Sequence, residues 1–171
     1  ILIIIIASCT NSNKDNFETH DSLSILFTGN INAEIEPCGC RQFPLGGIDN
    51  VLGAIEREKK KSSVLFIDTG DSFFQGNFIP KNERQSSMAK ADALVEGLNL
   101  LKLRLKVLGD QDFSGGIDTL KKITSNSPTF DFIATNATNS LDLPHLKYFK
   151  ASFYQHKFFI LGVTNPNTLQ K

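Results

Sequence analysis

Apolar and polar positions along this chain fall into blocks that switch between two periods. Residues 23–28 (LSILFT) form a short apolar run bounded by polar residues and Gly29, the mark of a buried strand. Ile48, Val51, Leu52 and Ile55 recur at helical spacing, and the charged run at 56–61 closes that helix with cations near its C-terminus. Residues 64–67 predict a second strand. Met88, Ala91, Val95 and Leu98, widened by Leu94 and Leu101, predict a longer helix. Leu105, Val107 and Leu108 predict a strand reaching Gly109, and residues 130–135 a further one. Between them Ile117, Leu120 and Ile123 mark a short helix, with Asp118 early and Lys121 and Lys122 late, as the helix dipole favours. Residues 147–163 read as two strands around a polar turn at Gln155-His156.

Strands alternating with helices define an α/β protein layered around a largely parallel sheet. In such sheets the chemistry gathers in loops at the carboxyl ends of the strands. That rule selects residues 29–40, 68–76, 109–115 and 136–139.

The start of the chain departs from this pattern. Ile1-Leu2-Ile3-Ile4-Ile5-Ile6-Ala7 is too short to span a bilayer and reads as the tail of a signal-peptide apolar region. Ile6-Ala7-Ser8-Cys9 fits the bacterial lipobox, in which the Cys is acylated. A β-branched run is also a good first strand, so that alternative stays open. Residues 10–22 (TNSNKDNFETHDS) are polar with a single Phe and read as a tether. The organisation expected is therefore a signal-peptide remnant and lipobox at 1–9, a tether at 10–22 and one folded unit at 23–171. The protein would be exported and held on a bacterial membrane, periplasmic or at the cell surface, through lipid on Cys9. No basic segment precedes the apolar run, and the chain stops at Lys171 just after a strand-like run, so it reads as truncated at both ends.

Composition narrows the partners. The 171 residues carry 18 Lys+Arg and 18 Asp+Glu, a net charge of zero, with no long basic block. Binding to a nucleic-acid polymer through phosphate contacts is thereby disfavoured. Three cysteines are too few for a disulfide scaffold.

One of the four loops carries text with two readings. Asp68-Thr69-Gly70-Asp71 contains the Asp-Thr-Gly of aspartic proteases, but Asp71 follows where that motif wants Ser or Thr, and the body is not β-rich. The other reading is a strand that ends by presenting Asp71 on a Gly turn, where a carboxylate has room to bridge metal ions.

Five blocks in order resemble the metallophosphoesterase (calcineurin-like) superfamily, in its 5'-nucleotidase branch. They are Thr28-Gly29-Asn30-Ile31-Asn32 with Gly46-Gly47 following, then Asp68-Thr69-Gly70-Asp71-Ser72-Phe73-Phe74-Gln75-Gly76. Next come Gly109-Asp110-Gln111-Asp112-Phe113-Ser114-Gly115-Gly116, Phe132-Ile133-Ala134-Thr135-Asn136, and Gly162-Val163-Thr164-Asn165-Pro166. The resemblance implies a layered sandwich fold, phosphate-ester or nucleotide hydrolysis, and two divalent metals (Mn, Zn or similar). Carried over position by position, the first metal-binding Asp becomes Asn30 and its His becomes Asn32. The bridging Asp is kept as Asp71, the Asn ligand becomes Asp110, and the His that stabilises the transition state becomes Gln111. The acid orienting that His becomes Ser114. His20, His145 and His156 match none of these positions. Asn30 removes a carboxylate and Asn32 offers only a weak amide oxygen, while Gln111 cannot act as a cationic acid. Losing one such stabiliser typically costs about 10²–10³ in rate. Two expectations follow: a weak or inactive phosphoesterase, or a binding lipoprotein that keeps the fold. The first implies a phosphate-ester small molecule as ligand, and weak single-metal binding around Asp71 and Asp110 is compatible with either.

Glu36-Pro37-Cys38-Gly39-Cys40-Arg41 lies outside the resemblance. Two thiols one residue apart can ligate a soft metal or undergo redox chemistry, or can be inert loop cysteines.

Overall fold

A computed structural model describes residues 2–7, 20–42, 45–125, 128–137 and 142–168, the first of these by backbone alone. The strands are β1 (Leu2–Ala7), β2 (Leu23–Thr28), β3 (Ser63–Asp68), β4 (Leu105–Val107), β5 (Asp131–Ile133), β6 (Phe149–Phe153) and β7 (His156–Gly162). Helix α1 (Ile48–Lys59) lies between β2 and β3, α2 (Arg84–Leu100) between β3 and β4, and α3 (Ile117–Ser125) between β4 and β5. Short 3₁₀ turns, not predicted from periodicity, occupy Lys81–Glu83 and Gln111–Phe113.

Strands β2, β3, β4 and β5 form a parallel sheet in that order, each joined to the next through a helix. A second, antiparallel sheet runs β1-β7-β6. The expected α/β layering is thus present, with an antiparallel sheet as a third layer. Alternation along β3 and β4 explains it. Leu65, Ile67, Leu105 and Val107 face the second sheet and pack with Phe149, Phe158 and Ile160. Phe66 points the other way, into a larger core with Leu94, Leu98, Leu120 and Ile123 from the helices. Burial of one such Leu or Ile is worth about 1.5–3 kcal/mol.

Two details differ from the sequence reading. The hairpin turn falls on Tyr154-Gln155, with Tyr154 at φ 51°, one residue earlier than expected. In α1 only Ile55 is buried, and Leu52 is exposed, because this helix lies beside the edge strand β2. An open cavity of about 500 Å³ borders Thr28, Asn30, Gly47, Ile48 and Phe66 there. The apolar run at 2–7, read as a signal-peptide tail, pairs along its length with β7. Cys9 and the tether as far as residue 19 lie outside the described residues, as do residues 138 and 139 of the fourth loop. Among the described residues no helix is long and apolar enough to cross a membrane.

Candidate functional site

Register places the ends of the parallel strands side by side: Thr28 pairs with Asp68, Asp68 with Lys106, and Lys106 with Phe132. The loops leaving that edge are stitched together. Asn30 N–H donates to Gly70 O (2.9 Å), Asn32 N–H to Asp71 O (3.1 Å), and Ala33 N–H to Ser72 O (2.7 Å). Gln111 N–H donates to Asp71 Oδ1 (2.8 Å). Four non-glycine residues here hold positive φ: Asn30 (53°), Asn32 (54°), Ala33 (56°) and Asp71 (57°). Each costs about 1–2 kcal/mol relative to the right-handed region, and such residues cluster where a surrounding structure forces a functional geometry. Gly70, at φ 110°, lets the backbones touch, since a Cβ there would meet Gly109 N at 2.7 Å.

Beneath this turn lies a buried charge cluster that sequence reasoning missed. Lys106 is fully buried, with Nζ 2.9 Å from Asp68 Oδ2, 3.2 Å from Asp112 Oδ2 and 4.4 Å from the centroid of the Phe73 ring. Asp112 accepts four backbone N–H groups. Those of Ser72 and Phe73 reach Oδ1 at 3.0 Å, and those of Asp71 (3.1 Å) and Gly109 (2.9 Å) reach Oδ2. Asp68 accepts Gly70 N–H (3.0 Å) and the Ser72 hydroxyl (2.5 Å). Burial pushes the Asp68 carboxyl up, against the pull of Lys106. Burial also works against the Lys106 ammonium, but Asp112 and Asp68 outweigh it and hold the amine above the ordinary lysine range. The signal was legible as one lysine inside the apolar run Leu105-Lys106-Val107-Leu108. Alternation puts it on the opposite face from Leu105 and Val107, where Asp68 ends the neighbouring strand.

The remaining positions fall around this centre. Asp110 takes Asn165 Nδ2–H on Oδ2 (2.9 Å) and the Thr168 hydroxyl on Oδ1 (3.0 Å). Asn136 bonds Thr164 in both directions, donating to its carbonyl (2.7 Å) and accepting its N–H (3.0 Å). Ser114 Oγ lies 2.6 Å from Gln111 O and also contacts Gly76 O, so it fixes the local turn. His145 bonds its own loop through Leu143 O (2.7 Å), His156 is exposed on β7, and His20 precedes β2. Cys38 and Cys40 sit in the loop from β2 to α1, where Cys38 Sγ accepts Leu45 N–H (3.1 Å).

Two dications about 3.5–4 Å apart need several anionic ligands to overcome their repulsion. Among the described residues no three His, Cys, Asp or Glu side chains are grouped to hold one ion. Both oxygens of Asp110 already accept hydrogen bonds. Asn32 Oδ1 and Gln111 Oε1 are buried without a partner, but they are neutral amide oxygens. The residues present do not fit a dinuclear centre, although Asp71 and Asp110 both stand at this edge.

Comparison with known proteins agrees with the architecture. No model of a known protein family matches the sequence. The chain is 28% identical over 126 residues to the 5'-nucleotidase-related protein of Glossina morsitans morsitans, a match covering 67% of this chain and 21% of that protein. It therefore spans about a fifth of the length of that curated relative. Among solved structures, the Haemophilus influenzae NAD nucleotidase superposes with a TM-score of 0.67 at 18% identity, over 86% of this chain and 27% of that one. The 5'-nucleotidase precursor of Thermus thermophilus gives 0.62 at 21% identity, over 84% and 29%. A calcineurin-like phosphoesterase of Bacillus subtilis gives 0.62 at 18% identity, over 86% and 50%. The chain has the calcineurin-like phosphoesterase fold, in the form that 5'-nucleotidases carry within their longer chains.

Proposed function

We propose that this chain is part of an exported, lipid-anchored protein that binds a phosphate-ester small molecule on a metallophosphoesterase scaffold and hydrolyses it poorly or not at all. One observation carries the reading: Asn30, Asn32 and Gln111 stand where the resemblance calls for a carboxylate and two imidazoles, around the retained Asp71. The edge keeps its shape, held by the strained Asn30–Ala33 turn and the hydrogen bonds to Gly70, Asp71 and Ser72. Among the described residues this edge offers Asp71 and Asp110 as its acids and no imidazole at the carried-over positions. A competing reading, slow metal-assisted hydrolysis, is favoured by the likeness to a 5'-nucleotidase-related protein.

The experiment supplies the whole protein with Mn²⁺ or Zn²⁺ and a generic aryl phosphate. Hydrolysis barely above background is expected, and turnover near about 10 s⁻¹, an ordinary enzyme rate, would overturn the proposal. Restoring Asn30→Asp, Asn32→His, Asp110→Asn and Gln111→His together should raise metal occupancy before it raises rate, because ligands assemble before chemistry.

The anchor has its own test. Processing before Cys9 would remove β1 from β7, so a lipidated molecule and a β1–β7 pair cannot be the same species. Labelling with radioactive palmitate, wild type against Cys9→Ala, is expected to mark the wild type alone. Equal labelling of both would remove the anchor from this reading.

A further inference from the structure

The loop from β2 to α1 is tied down at several points yet leaves its two thiols accessible. Glu34 N–H donates to Ile31 O (2.9 Å) and Ile48 N–H to Ile35 O (2.9 Å). Pro37 packs so tightly on Gly47 that a Cβ on that glycine would lie 2.7 Å from the proline ring. Cys38 and Leu45 then face each other twice. Cys38 N–H donates to Leu45 O (2.8 Å), and Leu45 N–H donates to Cys38 Sγ (3.1 Å). Cys40 is exposed, Cys38 half-buried, and neither forms a disulfide. The loop thus fixes Cys38 Sγ as the acceptor of a backbone amide. The neighbouring Cys40 thiol and that amide favour its thiolate and hold Cys38 below the ordinary thiol range, while the Cys38 sulfur raises Cys40.

That asymmetry divides the labour of a dithiol: one sulfur is prepared to attack, and its neighbour is placed to resolve. No described residue lies within 4 Å of a Cβ built on Gly39, so the residue linking the two cysteines stands in open space. A metal reading fares worse, since no third His, Cys, Asp or Glu among the described residues joins the pair. We propose that Cys38-Gly39-Cys40 is a reversible redox dithiol that exchanges with external disulfides, Cys38 attacking and Cys40 resolving.

The exchange balances with a glutathione disulfide as oxidant. Cys38 thiolate attacks one of its sulfurs, forming a Cys38–glutathione mixed disulfide and expelling the first glutathione as thiolate. Cys40 then attacks Cys38 Sγ and expels the second. Two electrons pass from the cysteines to the glutathione disulfide, and the two cysteine protons end on the two released thiols. A bridge across one intervening residue is geometrically strained, so the product should be readily reduced by excess glutathione thiol.

The test uses the chain with Cys9→Ser, so that only the loop thiols react. After exposure to oxidised glutathione and quenching with a maleimide, mass spectrometry of the 38–40 peptide should show loss of two hydrogens. Neither glutathione nor maleimide should be attached, and reduced glutathione should reverse the change. Adding Cys40→Ser should trap glutathione on Cys38, whereas adding Cys38→Ser should slow adduct formation at Cys40 by roughly tenfold. Circular dichroism of the variants should match the parent, since the substituted atoms lie on a loop. Stable glutathione adducts on the parent, disulfides between molecules, or equal rates in the two single variants would each overturn the proposal.

Discussion

The site has a floor and a rim, and the two are built on opposite terms. In the floor, Asp68, Lys106, Asp112 and the backbone of the Gly70–Phe73 turn satisfy one another. On the rim, Asn32 Oδ1 and Gln111 Oε1 are buried with no partner among the described residues. Replacing Asp112 in isolation would leave four amides unpaired and Lys106 without its second carboxylate, each a large penalty in a buried site. The rim residues hold the neighbouring loop through backbone N–H groups, which a side-chain replacement keeps, so the frame should stand. That difference explains how the edge can keep its fold while side chains on its rim vary.

The sharpest way to break this comparison is to remove the floor's main acceptor. Asp112→Ala strips the partner from four backbone N–H groups and from Lys106, and should destabilise the fold by about 4–5 kcal/mol or prevent folding. Asn32→Ala, by contrast, loses one hydrogen bond, from Nδ2 to Asn30 O (3.0 Å), and places Ala at positive φ. Its cost should stay near about 1–2 kcal/mol. Urea denaturation of both variants decides it. Equal losses would mean that floor and rim are not energetically distinct.

Lys106→Met should have the next largest effect, about 2–4 kcal/mol at pH 7, by leaving two carboxylates buried without their cation. It should be milder than Asp112→Ala because Asp68, already biased toward its neutral form by burial, can take up a proton. The loss should therefore shrink as pH falls through the raised carboxyl range. The alkaline side supplies a second reading. Lys106 holds its proton more tightly folded than unfolded. Its stabilisation is then complete below the ordinary lysine pKa of about 10.4, and is lost as pH rises through the higher folded value. Wild type should lose stability over that range and Lys106→Met should show a flatter curve. A loss that grows on acidification would refute the assignment.

The sequence carried most of the fold and less of the site, for physical reasons visible in particular residues. The parallel strands were readable because Leu65, Ile67, Leu105 and Val107 serve a core on one face while Phe66 serves the other. Long runs of this kind leave a periodic trace. The role of Lys106 left a fainter one, since a single lysine in a strand reads as solvent-facing until its partners on other elements are known. The burial of Asp112 was equally hidden, because its amide donors come from a turn some forty residues earlier and from Gly109 beside it. At the N-terminus one β-branched run reads equally as strand or as leader, and periodicity cannot separate the two; in the structure it pairs with β7.

The smallest effect is expected far from both regions, at the amino end of the parallel sheet, and serves as the control for the pH series. There Glu58, near the end of α1, accepts the Ser24 hydroxyl (2.6 Å) and the Ser62 hydroxyl (3.1 Å). Those two hydrogen bonds, Ser24 first, favour the carboxylate and hold Glu58 below the ordinary glutamate range. A carboxyl depressed in the folded state adds stability above the ordinary value of about 4.3, and that contribution is lost as pH falls through the folded value. Glu58→Gln should therefore differ slightly from wild type at neutral pH, with the difference closing as the solution is acidified. The direction matches that expected for Lys106→Met on acidification, but the size should be far smaller, since Glu58 is solvated and Lys106 is not. A loss at Glu58→Gln as large as that at Lys106→Met would show that burial does not set the scale, and would remove the physical basis for separating floor from surface.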